Sequence, residues 1–197
     1  LGRGGHPSGD GVPDRGAPRV GVVAEQLLRP VPGGVGRYVR ALAEHLPVEA
    51  AVDGGTVTFV VCRHPEERLA AAGLSPATTR RLAWPGRLAT RTWVTLRRPR
   101  LPDSLLGGLD LVHATSAAVP PAPGRPLVAT VHDLGFRHFP DAYPAAGRRY
   151  HERSARIVAE EAAGPDGRLG GRRGRRLRGS DRAHRAADAP QPERHGP

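Results

Sequence analysis

The chain has 197 residues, of which 38% are hydrophobic, and it carries a formal net charge of +11. This length suits one folded domain, and no apolar run approaches the roughly 18 residues that a membrane-spanning helix needs. The single cysteine, Cys62, excludes an internal disulfide and suits a reducing compartment, so the composition predicts a soluble, cytoplasmic protein.

A bias toward GC-rich codons accounts for much of the positive charge. All 30 basic residues are arginine, and the chain contains no Lys, Asn or Met. A very GC-rich coding sequence produces this pattern, because the missing residues have AT-rich codons. The charge alone is therefore weak support for a nucleic-acid partner.

The first half of the chain predicts a βαβ unit. Residues 1–18 are mainly Gly, Pro and charged residues, so we expect them to be disordered. A β-branched run over 19–25 predicts a buried parallel strand, and a second apolar run over 56–62 predicts its neighbour. Between them lies a helical pattern whose apolar positions are spaced by four, three and four residues: Val35, Val39, Leu42 and Leu46.

The second half continues the alternation of strands and helices. We expect a doubly wound, Rossmann-like α/β sheet over 19–163, built from parallel strands with helices on both faces. The predicted elements are a helix at 65–73, a strand at 80–84, a helix at 86–98, strands at 109–116 and 126–134, and a helix at 145–163.

Residues 164–197 change character abruptly and show neither helical nor strand periodicity. We expect this Arg- and Gly-rich tail to be disordered. A frameshift would explain it, because reading GC-rich codons one base out of frame turns alanine codons into arginine codons. The alternative is a natural basic tail that binds nucleic acid or anionic surfaces through 172–178.

Three glycines, Gly33, Gly34 and Gly36, follow the first predicted strand and begin the first helix. Unpaired N–H groups and the helix dipole attract phosphate at such a place. A tight turn without a ligand is the alternative. A dinucleotide fingerprint is disfavoured, because Val39 stands where the third glycine belongs and no acidic residue follows the second strand.

His113 and His132 fall at the ends of two predicted strands, and Asp133 follows the second. Ligands of open α/β sheets bind at the carboxyl ends of the strands, so both imidazoles are candidates to bond sugar hydroxyls or a phosphate. A purely structural role for each histidine stays open. No spacing of His, Cys and acidic residues suggests zinc, and Cys62 is expected to be a small core residue.

Three segments together resemble the amino-terminal domain of family 4 glycosyltransferases: "PGGVGRYVRALAEHL" at 32–46, "DLVHATS" at 110–116 and "PLVATVHDLGFRHFPDAYP" at 126–144. The resemblance extends over roughly 19–163. It implies the GT-B fold, in which two Rossmann-like domains face each other across a cleft. It also implies retaining transfer of a sugar from a nucleotide-sugar to a saccharide or lipid-linked acceptor.

The resemblance implies roles for individual residues as well. His132 matches a histidine near the transferred sugar, Gly33 and Gly34 approach the donor diphosphate or the acceptor, and Gly36 supports the helix start. No metal or other cofactor is implied, nucleic acid is not an expected partner, and peripheral contact with a membrane is left open.

The family's carboxyl-terminal glutamates and its Arg/Lys pair have no counterpart in this sequence. We therefore expect a truncated amino-terminal half that is inactive alone. The competing function is that of a non-enzymatic basic binding protein.

Overall fold

The structure is a computed structural model, and it describes residues 16–162. It contains a five-stranded, entirely parallel sheet in the order β3-β2-β1-β4-β5. The predicted α/β, Rossmann-like fold is therefore confirmed. The strands are β1 Arg19–Val23, β2 Thr56–Arg63, β3 Thr79–Pro85, β4 Leu111–Ala114 and β5 Leu127–Ala129.

Helices cover both faces of this sheet, and two short 3-10 helices, Glu25–Leu28 and Pro140–Ala142, lie in the connections. On one face α1 packs on the sheet, and on the other α3 and α6 pack on it and on each other. The α-helices are α1 Gly33–Val52, α2 Glu66–Ala71, α3 Gly86–Thr95, α4 Asp103–Leu106, α5 Gly135–His138 and α6 Ala145–Ala162.

Strand β2 lies in the interior of the sheet, between β3 and β1, and its position explains its nearly continuous apolar run. Phe59 and Val61 contribute to the core beneath α1, whereas Val60 and Cys62 contribute to the core beneath α3. A parallel strand between two helical layers buries both of its faces, so successive residues must all be apolar. Cys62 is fully buried, which confirms its prediction as a core residue.

Helix α1 buries a narrower face than its sequence pattern suggests. Val39 is fully buried, and Val35 and Leu46 pack at the edge of the same core. Leu42 does not join this cluster; the smaller Ala43 packs there instead. The helix continues through Pro47 to Val52, although proline leaves one backbone acceptor without its intrahelical donor.

The last two strands of the described residues, β4 and β5, are shorter than predicted. The expected strand over 109–116 is β4, and the expected strand over 126–134 is β5, which has only three residues. Pairing with β4 ends at the bond from the Thr130 N–H to the Ala114 carbonyl, 2.9 Å. Beyond it the chain leaves the sheet, so His132 lies in the loop after β5 and not on a strand.

The two ends of the chain were predicted to be disordered, and the structure describes only a small part of them. Pro18, assigned to the expected disordered segment, accepts a 2.9 Å hydrogen bond from the Thr56 N–H, so the contacts of the domain begin before Arg19. The predictions for residues 1–15 and for the tail at 164–197 lie outside the described residues. None of the described helices has both the length and the apolar character to cross a membrane.

Candidate functional site

The strand order reverses between β1 and β4, and a cavity of about 320 Å³ lies where these strands and β5 end. An open α/β sheet binds ligands at such a switch point, because the crossovers on the two sides diverge and leave a crevice. The lining residues come from the loops after these strands and from α1, α5 and α6: Gln26, Arg29, Val35, Ser116, Ala117, Ala118, Val131, His132, Asp133, Phe136, Tyr150, His151 and Ala155.

His132 is held in the cavity wall by a backbone contact. Its Nε2 lies 2.9 Å from the carbonyl oxygen of Thr115, and the Thr115 hydroxyl donates to the Val23 carbonyl at 2.6 Å. A carbonyl only accepts, so the Nε2 carries the proton and Nδ1 is left as the other polar atom of the ring. The ring of Tyr38 meets the imidazole edge-on, with the centroids 5.1 Å apart.

Asp133 lines the same cavity and also shapes the loop. Its Oδ1 accepts a 2.9 Å hydrogen bond from the Gly135 N–H at the start of α5. A β-carbon on Gly135 would lie 3.2 Å from that carboxylate oxygen, so glycine allows the close approach. His132 and Asp133, which are consecutive in the chain, thus both line the cavity.

The sequence reasoning missed five polar side chains of the cavity: Gln26, Arg29, Ser116, Tyr150 and His151. The Gln26 side-chain amide donates to the Ser116 hydroxyl at 3.4 Å, which links the loops after β1 and β4. Arg29, half-buried, contributes a guanidinium to the lining. Both Gln26 and Arg29 follow the first predicted strand and precede the glycines, so their place in that loop was the signal that could have identified them.

The three glycines have different surroundings. Gly33 has a φ of +62°, and a β-carbon on Gly33 would meet no atom within 4 Å. Gly34 is similarly open, whereas a β-carbon on Gly36 would overlap the ring of Pro32. Gly36 therefore serves the packing of the helix start. Gly33 and Gly34 precede the lining residue Val35 but are not part of the cavity wall.

Backbone donors remain available at this helix start. The first hydrogen bond of α1 runs from the Gly36 N–H to the Pro32 carbonyl at 2.9 Å. The N–H groups of residues 33–35 have no intrahelical acceptor, because the first turn of any helix lacks one. Anions are favoured beside such a terminus.

His113 does not join His132 at the cavity. It lies within β4, and its Nε2 is 2.9 Å from the Thr130 hydroxyl oxygen, which is in turn 3.1 Å from the Tyr38 hydroxyl. Burial lowers the pKa of His113. The imidazole points from the sheet toward α1 because it alternates with the buried Val112 and Ala114, so its position in the strand favours the structural alternative.

A second polar cluster lies at the ends of β1 and β2, away from the cavity. Glu25 is only 5% exposed; its Oε2 accepts from the Cys62 N–H and its Oε1 lies 2.9 Å from His64 Nε2. A β-carbon on Gly86 would overlap this carboxylate. Burial, with the neighbouring Glu25 carboxylate, raises the pKa of the Cys62 thiol, which keeps it protonated and unreactive.

The cavity can therefore bind a polar, partly anionic molecule. Its lining includes two imidazoles, two hydroxyls, one guanidinium and one carboxylate, which together can bond sugar hydroxyls and balance negative charge. Within residues 16–162, no three His, Cys, Asp or Glu side chains are grouped so that they could hold a metal ion.

Comparison with known proteins identifies the family of this chain. The family model described as Glycosyltransferase Family 4 matches residues 32–164, which is more than half of the chain. No curated protein matches significantly, and neither does any solved structure. The matched segment extends from the start of α1 through α6 and includes His132, Asp133 and the glycines. The chain therefore belongs to glycosyltransferase family 4.

Proposed function

We propose that this chain forms the acceptor side of a retaining glycosyltransferase of GT-B fold and acts in the cytoplasm. A nucleotide-sugar is the donor, a saccharide or a lipid-linked molecule is the acceptor, and no metal cofactor takes part. The observation that carries this proposal is the cavity at the switch point, which contains His132 and Asp133 within the segment that matches the family.

His132 has the geometry for a contact with the transferred sugar. Its Nε2–H is occupied by the Thr115 carbonyl, so Nδ1 is the atom that can meet a ligand. In the neutral imidazole, Nδ1 can accept a hydrogen bond from a sugar hydroxyl. The carbonyl contact fixes the ring orientation before a ligand arrives, which lowers the cost of ordering the site.

We infer that the anionic part of a donor binds near the start of α1. The positive groups that favour it are the N–H groups of the first helical turn and the guanidinium of Arg29, which lines the cavity together with Val35. Gly33 and Gly34 leave open space there, so a diphosphate could approach the backbone without meeting a side chain. This arrangement supports the proposed proximity of the glycines to the diphosphate.

Ligand binding by the full chain tests the proposal. Saturation-transfer NMR would be run with UDP- and GDP-sugars, the corresponding nucleoside diphosphates and simple saccharides. We expect at least one of these classes to bind, and His132→Ala to weaken that binding about tenfold, which corresponds to one hydrogen bond to a charged or sugar group.

His45→Ala is the matched control, because His45 is exposed on α1 away from the cavity lining. It should leave the affinity unchanged. Equal weakening by both variants, or no binding of any sugar or nucleotide by the unmodified chain, would contradict the proposal.

A further inference from the structure

A second cavity, of about 360 Å³, lies between α2 and β3. Within the described residues β3 pairs only with β2, so this cavity is at the edge of the sheet farthest from β5. It shares no lining residue with the cavity at the switch point. The lining combines four apolar and four polar residues: Leu69, Ala70, Leu74, Pro76, Glu66, Glu67, Thr79 and Arg81.

Thr79 places an unpaired hydroxyl at this cavity. The residue is only 7% exposed, and its hydroxyl oxygen is buried without a hydrogen-bond partner among the described residues. A buried polar group without a partner destabilises a fold, whereas valine has nearly the same shape and is equally favoured in strands. Folding alone therefore gives no reason for a hydroxyl at position 79, and a ligand of the cavity would supply the missing partner.

The alternation of β3 puts this hydroxyl on the cavity side of the sheet. Side chains two residues apart share one face of a strand. Leu82 belongs to the core beneath α3, so Thr79 and Arg81 lie on the opposite face, where α2 and the cavity are. Two strand residues span about 7 Å, which separates the hydroxyl from the charged end of the cavity at Arg81.

The charged end of the cavity favours a cation. Arg81 is paired with Glu66 at 3.1 Å, whereas Glu67 forms no ion pair within the part of the chain that the structure describes. The lining thus has one excess negative charge, although the chain as a whole carries +11. Between this charge and the Thr79 hydroxyl lie the buried side chains of Leu69 and Leu74, which favour an apolar group.

We propose that this cavity binds a small organic cation with an apolar body and a hydroxyl group. The hydroxyl bonds Thr79, the body packs on Leu69 and Leu74, and the ammonium group lies beside Glu67. The cavity is at the small end of the range for ligand sites. The site goes beyond the proposed function and does not depend on it, because it is separate from the cavity that contains His132.

Tyramine is a suitable probe, because its phenol hydroxyl and its ammonium group are at opposite ends of an apolar body. Titration of the full chain, followed by protein NMR, would give its Kd, which we expect to be about 1 mM for a molecule of about ten non-hydrogen atoms. Phenethylamine lacks the hydroxyl and should bind about fivefold more weakly. Para-hydroxyphenylpropionate carries the opposite charge and should also bind at least about fivefold more weakly.

Two variants locate the contacts. Thr79→Val should weaken the binding of tyramine about fivefold and leave that of phenethylamine unchanged, because only tyramine loses a hydrogen bond. Glu67→Gln should weaken the binding of both amines about threefold, and this effect should shrink as salt is added. Thr78→Val and Glu49→Gln are the matched controls; both residues are exposed and outside the lining, so the affinities should stay the same.

Three results would overturn the proposal: no binding of tyramine, equal affinity for tyramine and its carboxylate analogue, or a preference for tyramine over phenethylamine that persists in Thr79→Val. Urea denaturation adds a check that needs no ligand. Thr79→Val should unfold at the same or a higher urea concentration than the original chain, because it removes an unpaired polar atom. A marked loss of stability would mean that the hydroxyl already has a partner in the protein, and the proposal would be wrong.

Discussion

Glu25 is the residue whose environment departs most from that of a typical carboxylate. It is nearly fully buried, and its two oxygens are occupied by the Cys62 N–H and by His64. Glu25→Ala would leave a buried backbone donor and an imidazole without an acceptor. We expect a loss of about 3 kcal/mol in the free energy of unfolding, measured by urea denaturation.

Glu66→Ala is the control for this prediction. Glu66 pairs with Arg81 at 3.1 Å, but both side chains are largely exposed. An exposed ion pair contributes at most about 1 kcal/mol, so the Glu66 variant should unfold at nearly the same urea concentration as the original chain. Similar losses in the two variants would mean that the Glu25 cluster is not a buried polar network.

His113 predicts a pH dependence of stability. Burial lowers its pKa below the ordinary histidine value of about 6.5, so the folded chain binds fewer protons at this site than the unfolded chain. Its contribution to stability is therefore complete above about pH 6.5 and is lost as the pH falls through the lowered pKa of the folded state. Unfolding at pH 7.5 and 5.5 should show a smaller difference for His113→Gln than for the original chain.

The comparison between the two proteins isolates this residue, because they differ only at position 113. A decline in stability of equal size in the variant would show that His113 is protonated without cost, and the prediction would fail.

At the scale of elements, the edge strand β5 predicts a tendency of the chain to aggregate. It pairs only with β4 within the described residues, so it forms an edge of the sheet, and Val128 on it is 49% exposed. Unpaired backbone groups beside an exposed apolar side chain invite edge-to-edge association. We expect Val128→Lys to reduce light scattering on heating, because a charge on the edge opposes pairing with another strand.

Val52→Lys provides a matched control at the end of α1. Val52 is 79% exposed, so the change in surface hydrophobicity is at least as large, but no strand edge is involved. Aggregation that falls equally in both variants would trace to general surface hydrophobicity and would count against the edge of β5.

For the whole molecule, we predict ligand binding without sugar transfer. Among the residues that line the cavity, Arg29 is the one guanidinium and Asp133 the one carboxylate, and Asp133 is already bonded to the Gly135 N–H. Transfer requires the charge that develops on the leaving diphosphate to be stabilised by several preorganised groups. Mass spectrometry of the 197-residue chain with donors and acceptors should detect no glycosylated product beyond a reaction without protein.

The alternation of strands and helices was readable from the amino-acid sequence because periodicity is a local property. Positions 59–62 are apolar without interruption and Val35, Val39 and Leu46 repeat at helical spacing, so the βαβ unit followed from neighbours in the chain. The expectation that His132 and Asp133 lie near the carboxyl edge of the sheet had the same local origin, their position just after an apolar run, but the structure places both in the loop after β5.

Contacts between distant residues were decided only by the tertiary structure. His113 and His132 have similar local sequences, yet one bonds Thr130 beneath α1 and the other faces the cavity, because β5 ends early and the following loop turns out of the sheet. Glu25 meets His64, 39 positions later, because β1 and β2 lie side by side. The hydrophobic periodicity of the sequence indicates which face of a strand or helix a residue occupies. The residue that it contacts there depends on the order of the strands in the sheet.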